Sequence, residues 1–187
     1  MKKEIYILLT DTGTWFTKCI KLYTKKTFNH ASLSLDKDFH QVYSFGRKNP
    51  YNPFFGGFVK ENWRNPFFRH TTCAIYACTI SNNQYNDIQA FLKELNECKH
   101  QYRYNLLGLF AILFNIELER SNAYFCSQFV AATLEKGKVN GFGKPVSLVT
   151  PFDLGRLPQL RKVYEGKLSS YINSVDERHK INRFYFA

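Results

Sequence analysis

The chain has 187 residues, 44% of them hydrophobic and 17% aromatic, which is enough for one core and excludes intrinsic disorder. Its 26 Lys and Arg against 15 Asp and Glu leave a formal charge of +11, a balance that favours anionic partners. The longest apolar run, Leu106–Phe114, is interrupted by Gly108 and is about half of the ~20 residues that a bilayer span needs. The opening residues Met1–Thr10 hold no apolar stretch of signal-peptide length. A single domain over residues 1–187, in the cytoplasm, is the expectation.

In chain order, Glu4–Thr10 predicts a buried strand, a short block of Ile, Tyr and Leu ended by Asp11-Thr12-Gly13. Trp15, Phe16, Cys19, Ile20 and Tyr23 recur at helical spacing and predict a helix over 14–23, capped by Thr14. His30-Ala31-Ser32-Leu33-Ser34-Leu35 alternates polar or small with apolar residues, the pattern of a half-buried strand. Asp36-Lys37-Asp38 predicts a turn and Phe39–Phe45 the return strand of a hairpin. Gly46–Phe68, with Asn49-Pro50, Asn52-Pro53, Gly56-Gly57 and Asn65-Pro66, predicts a long ordered loop whose aromatic residues form a lid or pocket wall.

Thr71–Ile80 predicts another strand, and Ser81 the cap of a helix with the stripe Tyr85, Ile88, Phe91, Leu92 and Leu95. Tyr104–Phe114 reads as a helical core segment. Ser121 or Asn122 is the expected cap of a helix that carries Cys126 in or just after its first turn and runs to Lys136, with Gly137 as its stop. Thr150-Pro151-Phe152-Asp153 predicts a short capped helix, and Leu160–Tyr171 one or two strands. Strands, a hairpin and separate helices make an α+β protein.

Five scattered cysteines, Cys19, Cys73, Cys78, Cys98 and Cys126, show no disulfide framework and fit reduced, mostly buried thiols. The five histidines do not cluster, and Cys98-Lys99-His100 lacks a second pair at zinc-site spacing. No glycine-rich phosphate cradle, metal cluster or cofactor signature is present, so neither metal nor cofactor is expected. Two basic stretches stand out: Lys18, Lys21, Lys25 and Lys26, then Arg47, Lys48, Lys60, Arg64 and Arg69, relieved only by Glu61. Without a nucleic-acid motif these predict a solvated basic surface, with a peripheral anionic surface as a partner before nucleic acid.

Cys126, in Tyr124-Phe125-Cys126-Ser127-Gln128-Phe129-Val130, sits at a predicted helix start. Unpaired amides and the positive helix end favour a thiolate there and can hold an oxyanion. Such a thiol needs a base, and the base needs a third group to hold it. His30 opens the strand on the face of Ser32 and Ser34, and a turn centred on Lys37 sets Ser44 opposite it, with His40 and Val42 further along. Ser44 is then the third group, or Gln41 if the register slips by one. A serine supports an imidazolium less than a carboxylate does, so modest activity or a different third residue follows.

The strand start Asn29-His30-Ala31-Ser32-Leu33, the strand Val42-Tyr43-Ser44-Phe45 and the distal Cys126 helix resemble the circularly permuted papain-like branch of the NlpC-type superfamily. That branch places His first and Cys roughly a hundred residues later; the separation here is 96. The likeness runs from about Lys3 to Pro151, taking in Tyr104, Asn105 and Gly108 and the Thr150–Asp153 turn. It implies a small antiparallel sheet packed against helices including that of Cys126, and thiol chemistry on amide or ester bonds. Family members often carry Glu or His where this chain has Ser44.

The leading expectation is a cysteine peptidase- or amidase-like hydrolase acting on a peptide, cell-wall amide or acyl lipid. The alternatives are a binding module of the same fold for an anionic polymer or membrane surface, and a lipid acyltransferase using the same pair.

Overall fold

The computed structural model describes residues 1–11, 26–49, 52–139 and 141–185, with the backbone alone at 47–49, 52–55, 67, 113 and 181–185. The helix predicted over 14–23, with Thr14 and Cys19, lies outside the described residues.

Strand β1 (Lys2–Asp11) holds an interior position in the sheet. It pairs antiparallel with β2 (His30–Ser34) on one side and β5 (Thr72–Ser81) on the other. With β3 (Val42–Asn49), β4 (Asn52–Glu61) and β8 (Leu160–Lys167) the order is β4-β3-β2-β1-β5-β8. Every pairing is antiparallel. The architecture is therefore α+β, as the sequence predicts.

Both faces of the sheet are covered, which is why β1 reads as an unbroken apolar block. On one face Ile5, Ile7 and Leu9, with Ala31, Leu33 and Phe45, meet α1 (Asn82–Glu97) and α3 (Cys126–Lys136). On the other, Tyr6, Leu8, Val42 and Ile75 meet Phe39, Trp63 and two residues of α5 (Leu168–Tyr185), Leu168 and Ile172. Between α1 and α3 run β6 (Arg103–Tyr104), α2 (Leu106–Ala111) and β7 (Ala123–Tyr124). A short α4 (Pro151–Leu154) follows α3.

Helix α1 begins where the sequence places it. Ser81 accepts from the Gln84 amide while the Gln84 side chain accepts from the Ser81 amide, and Ile88, Phe91, Leu92 and Leu95 are buried. Thr150 caps α4 in the same reciprocal way with Asp153, behind a first-turn proline.

Four expectations are corrected. The β2–β3 turn is longer than three residues: Asp36 accepts from the amides of Asp38 (3.0 Å), His40 (3.1 Å) and Gln41 (2.9 Å), so β3 starts at Val42 rather than Phe39. Phe39 instead adopts φ 59° and buries its ring against Trp63 and Tyr171. Second, Gly46–Phe68 is mainly not a loop, since β3 continues to Asn49 and β4 returns to Glu61. Glycine is needed at position 56, where a Cβ would stand 2.7 Å from Tyr104 Cβ and 2.8 Å from the Gly46 carbonyl.

Third, Tyr104–Phe114 is helical over part of its length but is not core. Leu107 and Phe114 are 60% and 70% exposed, because Asn105 caps α2 and turns it outward from β6. Fourth, the end of the chain is one strand to Lys167 and then helix α5, the helical part being hidden from a period-two reading by its short apolar stripe.

Candidate active site

Polar side chains alternate with apolar ones along β2, and both sets are buried: Ser32 and Ser34 are as inaccessible as Ala31 and Leu33. A strand expected to be half-buried is buried on both faces from Ala31 to Ser34, so its hydroxyls need partners. Ser34 donates to the Asp36 carbonyl at 2.7 Å. Ser32 donates to Glu61 Oε2 at 2.7 Å.

Glu61, the last residue of β4, is the hub. His30 Nε2 lies 2.8 Å from its Oε1, Ser44 Oγ donates to Oε1 at 2.7 Å, and Trp63 Nε1 donates to Oε2 at 2.7 Å. The His30 and Glu61 side chains are only 15% and 10% exposed. Their titrations follow from that setting. For Glu61, burial works against ionisation, but the His30 charge and the hydrogen bonds from His30, Ser32 and Ser44 prevail and lower its pKa. For His30, burial works against the charged ring, but the Glu61 charge and hydrogen bonds with Cys126 and Glu61 prevail and raise its pKa. Between the two ordinary values the pair is ionised.

The register accounts for this assembly. Leu33 faces Tyr43 and Ser34 faces Val42, so the turn centres one residue later than expected and the partners shift by two. A two-residue shift keeps every side chain on its face. Ser44 thus sits opposite Ser32 rather than His30, and Gly46 comes level with His30: a Cβ at Gly46 would stand 3.8 Å from His30 Cε1. Across the β3–β4 hairpin Val42 faces Glu61 and Ser44 faces Val59, which puts Glu61 on the Ser44 face.

Ser44 therefore does not hold the ring. It holds the carboxylate that does, and a carboxylate stabilises the imidazolium where a hydroxyl would not. Gln41 is exposed in the turn and accepts from the Tyr43 hydroxyl, and His40 is exposed beside Asp36, so neither contributes. The sequence reading misses Glu61 as a site residue, although one signal marks it: it is the sole acidic residue among the cations from Arg47 to Arg69.

Cys126 is the first residue of α3, one turn closer to the helix start than a cap at Ser121 or Asn122 would give. Asn122 takes φ 55° in a turn. The Arg103 and Asn105 amides then donate to the carbonyls of Asn122 and Tyr124, both at 2.9 Å, holding β7 extended beside β6. Phe125 remains extended at the cap. The first intrahelical bond runs from the Phe129 amide to the Phe125 carbonyl at 2.9 Å, so the amides of residues 126–128 precede it and point out of the helix end. Cys126 is 4% exposed, and it lies close enough to His30 to help raise the pKa of the ring. The neighbouring Ser127 hydroxyl donates to the Val149 carbonyl at 2.7 Å, pinning the start of α3. Two buried oxygens flank His30, Thr10 Oγ1 and Asn29 Oδ1, and neither finds a hydrogen-bond partner among the described residues.

Cys73, Cys78, Cys98 and Cys126 are free thiols. Burial pushes the Cys73 thiol up to about 12 and raises Cys78 as well, so both are unreactive structural residues. Asp36, Asp38 and His40 bring three metal-type ligand atoms within 4.8 Å of one another, but Asp36 already organises the turn and Asp38 pairs with His179 at 3.1 Å. Among the described residues no helix is long and apolar enough to cross a membrane. Comparison with protein-family models, with curated proteins and with solved structures finds no match for this chain.

Proposed function

We propose that the protein is a thiol hydrolase of amide or ester bonds, with Cys126 as nucleophile, His30 as base and Glu61 as the group that orients the base. One observation carries the reading: a single imidazole is bonded to a buried carboxylate and stands close enough to a helix-terminal thiol for that thiol to help raise its pKa. With Nε2 committed to Glu61, Nδ1 is the nitrogen left for the sulfur.

In this mechanism Cys126 reacts as the thiolate of a thiolate–imidazolium pair with His30, and the sulfur attacks the acyl carbonyl. The amides at the start of α3 receive the oxyanion. His30 returns the proton to the leaving amine or alcohol, and water activated by the same ring releases the acyl group. Glu61 stays ionised throughout. The resemblance to the permuted papain-like branch points to the same chemistry, and the carboxylate it implies in the third position is supplied by Glu61. Free thiols suit a reducing, cytoplasmic setting. Leu107, Phe110, Phe114 and Ile116, exposed just upstream of the thiol helix, favour an acyl lipid over a peptide as substrate, and hydrolysis and acyl transfer then differ only in the acceptor.

The test is alkylation by iodoacetamide, followed at each cysteine by mass spectrometry against pH. Cys126 is expected to react faster than Cys98, and to lose that advantage in His30→Ala. Reaction no faster than at half-buried Cys98, or indifference to the His30 change, would leave a binding module of this fold as the better reading.

A further inference from the structure

Trp63 lies two residues beyond Glu61, where the chain leaves β4 in a turn. The Asn65 amide donates to the Asn62 carbonyl at 3.0 Å and the Arg64 amide to Asn62 Oδ1 at 3.1 Å. The indole is thereby buried, 3% exposed, in the core cluster of Tyr6, Leu8 and Val42. A buried indole N–H needs an acceptor, and here the acceptor is Glu61 Oε2 at 2.7 Å.

Among the described residues, Oε1 of Glu61 takes His30 Nε2 and Ser44 Oγ, and Oε2 takes Ser32 Oγ and Trp63 Nε1. Two donors on each oxygen fill the acceptor sites of a carboxylate. The four partners are not equivalent. A serine hydroxyl can rotate and can accept as well as donate, whereas an indole nitrogen only donates, in the direction its ring sets. That ring is braced, its centroid 5.6 Å from that of Phe39 and 6.0 Å from that of Phe68. Phe39 in turn stacks on Tyr171 of α5 at 5.1 Å. Arg64, the next residue, donates to Asp176 of α5 at 2.8 Å and to the Asp38 carbonyl at 3.2 Å.

We propose that Trp63 is a positioning residue: its braced N–H fixes the plane of the Glu61 carboxylate, and through it the angle at which His30 meets Cys126. Helix α5, distant in sequence, then belongs to the working site because it holds the Phe39–Trp63 pair and the Arg64 segment in place. An N–H bonds an anionic oxygen about twice as strongly as a neutral one, so the same contact favours the charged form of Glu61. His30 is the charged partner facing that carboxylate, while Asp176 and His179 of α5 pair instead with Arg64 and Asp38. The role in catalysis rests on the thiol-hydrolase reading, whereas the hold on Glu61 does not.

The experiment follows the Glu61 carboxyl by carbon-13 NMR against pH in wild type, Trp63→Phe and Ile75→Val. Trp63→Phe keeps an aromatic ring and removes the N–H. Ile75→Val trims the same core cluster on β5, which β1 separates from β2. The Glu61 midpoint should rise by about one pH unit in Trp63→Phe and stay in place in Ile75→Val, although both lower the melting temperature. A midpoint unmoved in Trp63→Phe, or moved as far in Ile75→Val, overturns the proposal. Should Trp63→Phe fail to fold, Trp15→Phe leaves Trp63 as the one indole signal of a chain with two tryptophans. Its N–H proton should then shift with the same midpoint as the Glu61 carboxyl, and a proton indifferent to that titration overturns the proposal equally. With an activated ester, Trp63→Phe should lower kcat about tenfold or more while KM changes little. An unchanged kcat, in a protein whose wild type turns the ester over, overturns the positioning role. A wild type without turnover means that the hydrolase reading has failed, and the carboxyl titration alone then decides whether Trp63 holds Glu61.

Discussion

Two stretches of this chain contradict their own hydropathy, and they do so in opposite directions. Ser32, Ser44 and Glu61 are polar yet buried on one face of the hairpin strands, whereas Leu107, Phe110, Phe114 and Ile116 are apolar yet exposed. Burying a carboxylate is costly unless hydrogen bonds and an opposite charge compensate. Glu61 has both, from Ser32, Ser44, Trp63 and His30. The exposed side chains carry a smaller penalty, since apolar atoms are common on protein surfaces. The buried polar group is thus the stronger mark of function, because its arrangement persists only if every partner is in place.

Substitutions in the two stretches should separate sharply. The largest effect falls on the reaction: Cys126→Ala is expected to abolish turnover of an activated ester, and His30→Ala to lower it ~10²–10⁴-fold, the usual share of general acid–base catalysis, measured as kcat/KM. An undiminished rate in either would remove the site from the chemistry.

Next is stability. Glu61→Ala leaves the imidazolium buried and unpaired and should cost about 3–5 kcal/mol in denaturant unfolding. Its pH dependence has a definite sign. The raised His30 pKa contributes fully below the ordinary value of ~6.5 and loses its contribution as pH rises through the folded value. The lowered Glu61 pKa contributes above ~4.3 and loses its contribution as pH falls through the folded value. The difference in melting temperature between wild type and Glu61→Gln should therefore peak between about pH 4.3 and 6.5 and narrow on both sides. A difference constant with pH would contradict the ionised pair.

Smaller effects sharpen the contrast. Ser44→Ala removes one donor from the buried carboxylate and should cost about 1–3 kcal/mol, while Phe114→Ser on the exposed stretch should stay within about 0.5 kcal/mol. Equal losses from the two would mean that residues 106–116 are packed rather than presented. Gly108→Ala should cost about 1 kcal/mol by thermal unfolding, because the added Cβ collides with the Asn105 amide that caps α2.

What the sequence discloses follows the strength of local signals. β1, α1, α3 and α4 are legible because an apolar block, a reciprocal cap or a glycine stop marks each of them within a few residues. His30 and Cys126 are legible as a pair because each opens its element. Glu61 is not, because β4 contains Gly56-Gly57 and Asn52-Pro53, residues that ordinarily end strands. They are tolerated here in a strand at the edge of the sheet, where position 56 has no room for a side chain beside Tyr104. The two-residue error in hairpin register had little consequence, since it preserved the face. It concealed only which residue Ser44 serves. The outward turn of α2 is set by tertiary contacts of Asn105 that hydropathy does not encode.

The central claim is that Glu61 holds His30 as a base for Cys126. Its most direct test is a nitrogen-15 NMR titration of the His30 imidazole in wild type and in Glu61→Gln. The account predicts a wild-type ring still protonated at pH 7.5, above the ordinary value of ~6.5, and a midpoint that falls in Glu61→Gln to that value or below, as burial then acts without the carboxylate. A wild-type ring that titrates near 6.5, or a midpoint that Glu61→Gln leaves unmoved, would contradict it.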